Sequence, residues 1–152
     1  MSELSPVEAL YRDVVLDHYR DPRNRAPLAS PGGSALVHNP LCGDQVRVEV
    51  SLEDGRISEV SARTRGCSIA VAAGSVMTEL VSGLEPEESA GLGAALERLV
   101  GGEAAADDLD RHLRAFERVA ALPSRRRCAL LPWEALAEAL DDAQNETGPA
   151  PR

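Results

Sequence analysis

The sequence predicts an α+β fold, with a small antiparallel sheet set between one amphipathic helix and a run of later helices. Apolar residues recur at helical spacing over residues 5–18. They alternate at strand spacing over 45–65, around an Asp-Gly turn, and return to helical spacing from residue 69 onward. At 152 residues the chain is long enough for one domain with a core, expected over residues 1–140. Residues 141–152 are polar, end in Gly-Pro-Ala-Pro-Arg, and read as a disordered tail.

The first helix is expected over residues 5–18. Ser5 and Glu8 form a capping box, Pro6 takes the first helical position, and Val7, Leu10, Tyr11, Val14 and His18 share a face. Asp21-Pro22-Arg23-Asn24 ends it, and a Pro/Gly-rich connection leads to a short candidate strand at 34–38. Asn39-Pro40-Leu41-Cys42-Gly43-Asp44 is a loop. From Gln45, Val46, Val48, Val50 and Leu52 face one way and Arg47, Glu49 and Ser51 the other, as in a half-buried strand. Asp54-Gly55 is a strong hairpin signal, and the return strand runs to about Arg65. Ile57 is out of phase, so a bulge is expected near the turn. Ser68 is the expected cap of a helix over 69–81. Further helices are expected over 86–100, over 109–121, and in a last segment carrying Trp133, Leu136, Ala137 and Leu140, which Pro132 opens or kinks.

Three cysteines stand in separate settings, Cys42 in a polar loop, Cys67 before a helix and Cys128 after Arg125-Arg126-Arg127, 25 and 61 residues apart. A lone cysteine is most often a small buried hydrophobe. Hairpin geometry argues otherwise here, because it puts the start of one strand beside the end of the next and so brings Cys42 and Cys67 to one end of the sheet. With Cys128 and Asp44 added, three thiolates and a carboxylate suit one tetrahedral zinc ion or an iron–sulfur cluster. Such a set leaves surplus negative charge, and Arg63, Arg65 and Arg125 to Arg127 flank the cysteines. His18 reads as structural, His112 as solvated, and His38 as a weak candidate for a supporting role.

Composition excludes several classes. A net charge of -9 argues against nucleic acid as a partner. All 16 basic residues are Arg, so no lysine Schiff base can form. No Ser-nucleophile triad and no Gly-rich phosphate loop is visible. The acidic N-terminus does not read as a signal peptide, residues 69–76 are too short an apolar run to span a bilayer, and an odd cysteine count cannot close fully into disulfides. A cytoplasmic protein with no membrane partner is expected.

Taken together, Leu10-Tyr11, Leu16-Asp17-His18-Tyr19, Pro22-Arg23-Asn24, the Cys42-Gly43-Asp44 loop, Gly66-Cys67-Ser68-Ile69 and Arg127-Cys128 leading into Trp133 resemble the U-type iron–sulfur cluster assembly family, the SufU/IscU/NifU-N-terminal group. The resemblance implies a three-stranded antiparallel sheet with helices packed on one side. It also implies that Cys42, Asp44, Cys67 and Cys128 gather as metal ligands. Two departures favour its SufU-like branch. Arg127 stands where the scaffold (IscU-like) branch has His, and Leu122-Pro123-Ser124-Arg125-Arg126 replaces a Leu-Pro-Pro-Val-Lys segment. An additional helical region between Cys67 and Cys128 agrees. That branch resembles zinc proteins that take sulfur from a cysteine desulfurase (SufS-like) and serve downstream cluster assembly proteins, a sulfurtransferase-like relay rather than a stand-alone enzyme. Cys42 would be the sulfur acceptor. The alternatives are a scaffold in which Cys42, Cys67 and Cys128 ligate iron or a [2Fe–2S] cluster, and a zinc-stabilised interaction domain without catalysis.

Overall fold

Ser5 caps the first helix. Its hydroxyl accepts from the Glu8 N–H and the Glu8 carboxylate accepts from the Ser5 N–H, each at 3.2 Å. The structure, a computed structural model, describes residues 4–41 and 43–146. The opening helix continues through α1 (Pro6–Leu10), a π-helical stretch Tyr11–Leu16, and α2 (Asp17–Arg20). Val14, Val15 and His18 are its buried residues.

The strands β1 (Gly33–His38), β2 (Gln45–Glu53) and β3 (Arg56–Arg65) form an antiparallel sheet in the order β1-β2-β3. Asp54 and Gly55 both take positive φ, 54° and 78°, which is what a two-residue turn of matching twist demands. The expected bulge is present. Ser51 faces Glu59 while Leu52 faces Ile57, so Ser58 is the extra residue, and the shift turns Ile57 fully into the core. Val46, Val48 and Val50 are wholly buried beneath the helices, each contributing on the order of 1.5–3 kcal/mol relative to an exposed side chain. The helix-free face lies under residues 24–32, which cross from the edge of β3 (Asn24 C=O accepting from Ala62 N–H) past Glu49 to β1.

Four helices follow: α3 (Ser68–Val81), α4 (Pro86–Val100), α5 (Arg111–Arg114) and α6 (Arg126–Glu146). The single helix expected over 109–121 is instead α5 followed by a 3₁₀ helix, Glu117–Ala121. The reason is spacing. Leu113, Phe116 and Val119 are all fully buried at intervals of three, the period of a 3₁₀ helix, and the N–H groups of Phe116, Val119 and Leu122 bond three residues back.

Helix α6 starts six residues before Pro132 and continues through it. Burial of Leu131, Ala135, Leu136, Ala139 and Ala143 on one stripe outweighs the hydrogen bond that Pro132 cannot donate to the Cys128 carbonyl. The helix also runs on to Glu146, so residues 141–146, expected in the tail, are helical; residues 147–152 lie outside the described residues. Ala143 is buried there because α6 lies close on β1. A Cβ on Gly33 would strike the Ala139 carbonyl and the Ala143 backbone. Among the described residues no helix is long and apolar enough to cross a membrane.

Candidate metal centre

The β2–β3 register pairs Gln45 with Arg65, so Asp44 and Gly66 come side by side where the two strands leave the sheet. The loop before β2 is latched by Asn39, which is buried. Its N–H donates to the Asp44 carbonyl at 2.8 Å, its carbonyl accepts from Gly43 N–H at 2.8 Å, and its side chain accepts from Leu41 N–H at 3.1 Å. Gly43 sits at φ 79°, a conformation glycine enters without strain. Cys42 itself lies outside the described residues.

Cys67, rather than Ser68, is the N-cap of α3, and its side chain makes no capping bond. Its sulfur is thereby available to the site, at the positive end of the helix dipole. Cys128 is in the first turn of α6 and is 1% exposed. One donor atom each from Asp44, Cys67 and Cys128 lies within 4.8 Å of the others. The Asp44 Oδ2 is buried with no hydrogen-bond partner, an atom left waiting for a cation or a donor. Burial first, then the neighbouring Cys67 and Asp44, push the Cys128 thiol upward, so its charging is disfavoured unless a cation joins it.

Of the arginines expected to compensate the site, Arg125 is set against the sulfurs. Arg125 is held more firmly protonated, chiefly by a hydrogen bond with Cys67 and then by the charges of Cys67 and Cys128. Arg126 turns back to the Ala120 carbonyl at 3.1 Å, Arg127 pairs with Glu134 at 3.5 Å, and Arg63 with Glu49 at 3.6 Å. Consecutive residues at a helix start point in different directions, so a run of three cannot serve one site. His18 is structural as expected, with Nδ1 2.7 Å from the Ser75 hydroxyl; His112 pairs with Asp110, and His38 is exposed on β1.

Residues 10–148 match the family model described as NifU-like N terminal domain. The chain belongs to that family. It is 32% identical to the zinc-dependent sulfurtransferase SufU of Bacillus subtilis, over 90% of this chain and 92% of that protein. It is also 32% identical to the iron–sulfur cluster assembly scaffold protein IscU of Streptococcus pyogenes, over 93% of this chain and 89% of that one. The crystal structure of an N-terminal NifU-like protein from Brucella abortus superposes with a TM-score of 0.82 at 25% identity, covering 93% of this chain and 99% of that one. The three-stranded sheet with helices on one side is thus the fold of this NifU-like domain.

Two supporting residues of this NifU-like centre escaped the sequence reading, Asn39 and Gly66. A Cβ on Gly66 would fall 2.5 Å from the Asp44 Cγ. The signal was Gly66 itself, directly before a cysteine and opposite Asp44 in the hairpin. Gly66→Ala is expected to push the Asp44 carboxylate out of the cluster and speed metal loss to a chelator, while the cysteines stay in place and hold most of the metal at equilibrium. Competition with a chromophoric chelator measures this, and a wild-type rate of loss would show that Asp44 does not need that space.

Proposed function

We propose that this protein is a zinc-bound sulfur acceptor for iron–sulfur cluster assembly, with Cys42, Asp44, Cys67 and Cys128 as ligands and a cysteine desulfurase as sulfur donor. The observation that carries the reading is the convergence of Asp44, Cys67 and Cys128 within 4.8 Å around an unpartnered carboxylate oxygen. The donor set fits the ion, since thiolates suit zinc and one carboxylate adds a harder, more exchangeable ligand. Zinc, when bound, supplies the charge that keeps these thiols deprotonated. Similarity to the B. subtilis zinc-dependent sulfurtransferase over nine-tenths of the chain supports the assignment.

The chain's own residues then divide the work. Cys42 is the acceptor. Its thiolate attacks the outer sulfur of the desulfurase persulfide, forming a new S–S bond on Cys42. The donor's S–S bond breaks, and its electron pair leaves on the desulfurase thiolate, so no oxidant or reductant is consumed. Leu41, 91% exposed, presents an apolar contact next to the acceptor, and Gly43 gives the loop its turn. Arg125 stays behind to hold the charge of Cys67 and Cys128 when Cys42 is engaged elsewhere.

A second reading, the cluster scaffold, is favoured by equal identity to the S. pyogenes IscU. Metal analysis separates the two. Protein purified without added metal is expected to be colourless, with about one zinc per chain. Brown protein containing iron and sulfide in place of zinc would establish the scaffold reading instead.

A further inference from the structure

Residues 22–27, the free edge of β3 and helix α3 enclose a cavity of about 580 Å³, and none of its lining residues belongs to the cysteine site. Pro22, Pro27 and Val71 supply apolar walls; Arg25, Arg63 and Thr64 supply the polar ones, and no carboxylate lines it. Three facts about charge then converge. Arg63 lines the cavity with a side chain that is 36% exposed, while its buried Nη1, turned toward Glu49, has no hydrogen-bond partner. Its nearest acid, Glu49 Oε1, is 3.6 Å away and already accepts from the Leu28 N–H at 3.0 Å. Arg25 is exposed and has no acidic partner among the described residues.

The sheet register adds a third cation. Arg47 is the cross-strand partner of Arg63, on the same face, where like charges directly opposite each other repel. Of these three guanidinium groups only Arg63 has an acidic partner among the described residues, in a chain whose net charge is -9. The volume is of the size that holds small ligands, and a bidentate oxyanion matches the donors of a guanidinium fork.

We propose that this cavity binds a small molecule bearing a carboxylate or phosphate. Arg63 and Arg25 hold the anion, the Thr64 hydroxyl lies alongside, and Pro22, Pro27 and Val71 cover a short apolar body. Ser75 is a fixed wall rather than a ligand. Its oxygen is already engaged by His18 Nδ1 at 2.7 Å and by the Arg23 N–H at 2.8 Å. The inference stands apart from the sulfur-acceptor reading and survives its failure.

The test is a titration of the metal-loaded full chain with inorganic phosphate and, separately, with succinate, at constant ionic strength against chloride. Backbone amide shifts are the readout. Saturable shifts confined to residues 22–27, 62–64 and 71–75 are expected. Saturation by phosphate alone or by succinate alone assigns the anion class. Arg25→Gln, at an exposed position, should weaken binding about tenfold or more, the loss of one charge-assisted hydrogen bond. Arg63→Gln should do the same in protein whose spectrum shows it folded. Shifts no larger than with chloride, or saturable shifts unchanged in both variants, would overturn the proposal.

Discussion

Adding the protein to its cognate desulfurase with free cysteine is expected to raise alanine production in an iron-free reaction, and Cys42→Ala is expected to abolish the increase. Cys42 should gain the mass of one sulfur in the same mixture. The physical ground is the clearing of a persulfide that otherwise blocks the next turnover. Acidity alone does not supply the gain. Full deprotonation of a thiol one unit below its pKa raises its thiolate fraction about tenfold, but the lower basicity that accompanies it returns much of that in nucleophilicity. The remaining benefit comes from placing the acceptor next in sequence to Leu41, an exposed apolar contact for a partner. A structural zinc domain leaves turnover unchanged and no persulfide on any cysteine, and a cluster scaffold accepts sulfur productively only once iron is added. Unchanged alanine production would therefore sink the acceptor role.

Half of this centre was legible in the sequence because it depends on local geometry. An Asp-Gly turn, an alternating valine run and an out-of-phase Ile57 suffice to set the β2–β3 register, and that register alone puts Asp44 beside Gly66. The other half depends on packing. Cys128 reaches the site only because α6 lies close against β1, at a contact made by Gly33, Ala139 and Ala143 whose spacing says nothing about which strand it will meet. The choice of Arg125 over its two neighbours was illegible for a related reason. It depends on where α6 begins, and Pro132 hid a start at Arg126. The 109–121 segment misled in a third way. Its apolar residues fit both a 3.6-residue and a 3.0-residue period, and the buried trio Leu113, Phe116 and Val119 selected the tighter one.

Replacing a sulfur ligand should cost far more stability when metal is present than when it is absent, and this separates a metal centre from an ordinary buried cysteine. In metal-free protein Cys128→Ala removes a small buried group and also one of three acidic groups crowded within 4.8 Å, so its cost there should be about 1 kcal/mol or less. In the presence of zinc, the wild type gains about 4 kcal/mol at a thousandfold excess of free ion over its dissociation constant, and a variant that cannot bind gains nothing. Cys67→Ala should behave in the same way. Asp44→Ala should not, because three thiolates remain to hold the ion and the buried Oδ2 that lacked a partner is gone. It is expected to keep most of its zinc and most of the zinc-dependent stabilisation, while its sulfur-transfer rate changes with the loss of the exchangeable ligand. Denaturant unfolding with and without zinc, run in parallel on the four proteins, reads all of this at once. Equal losses in Cys128→Ala with and without metal would reduce the cysteine to a packing residue. Metal loss in Asp44→Ala as complete as in the cysteine variants would make the carboxylate a full structural ligand and end its role as the one that yields.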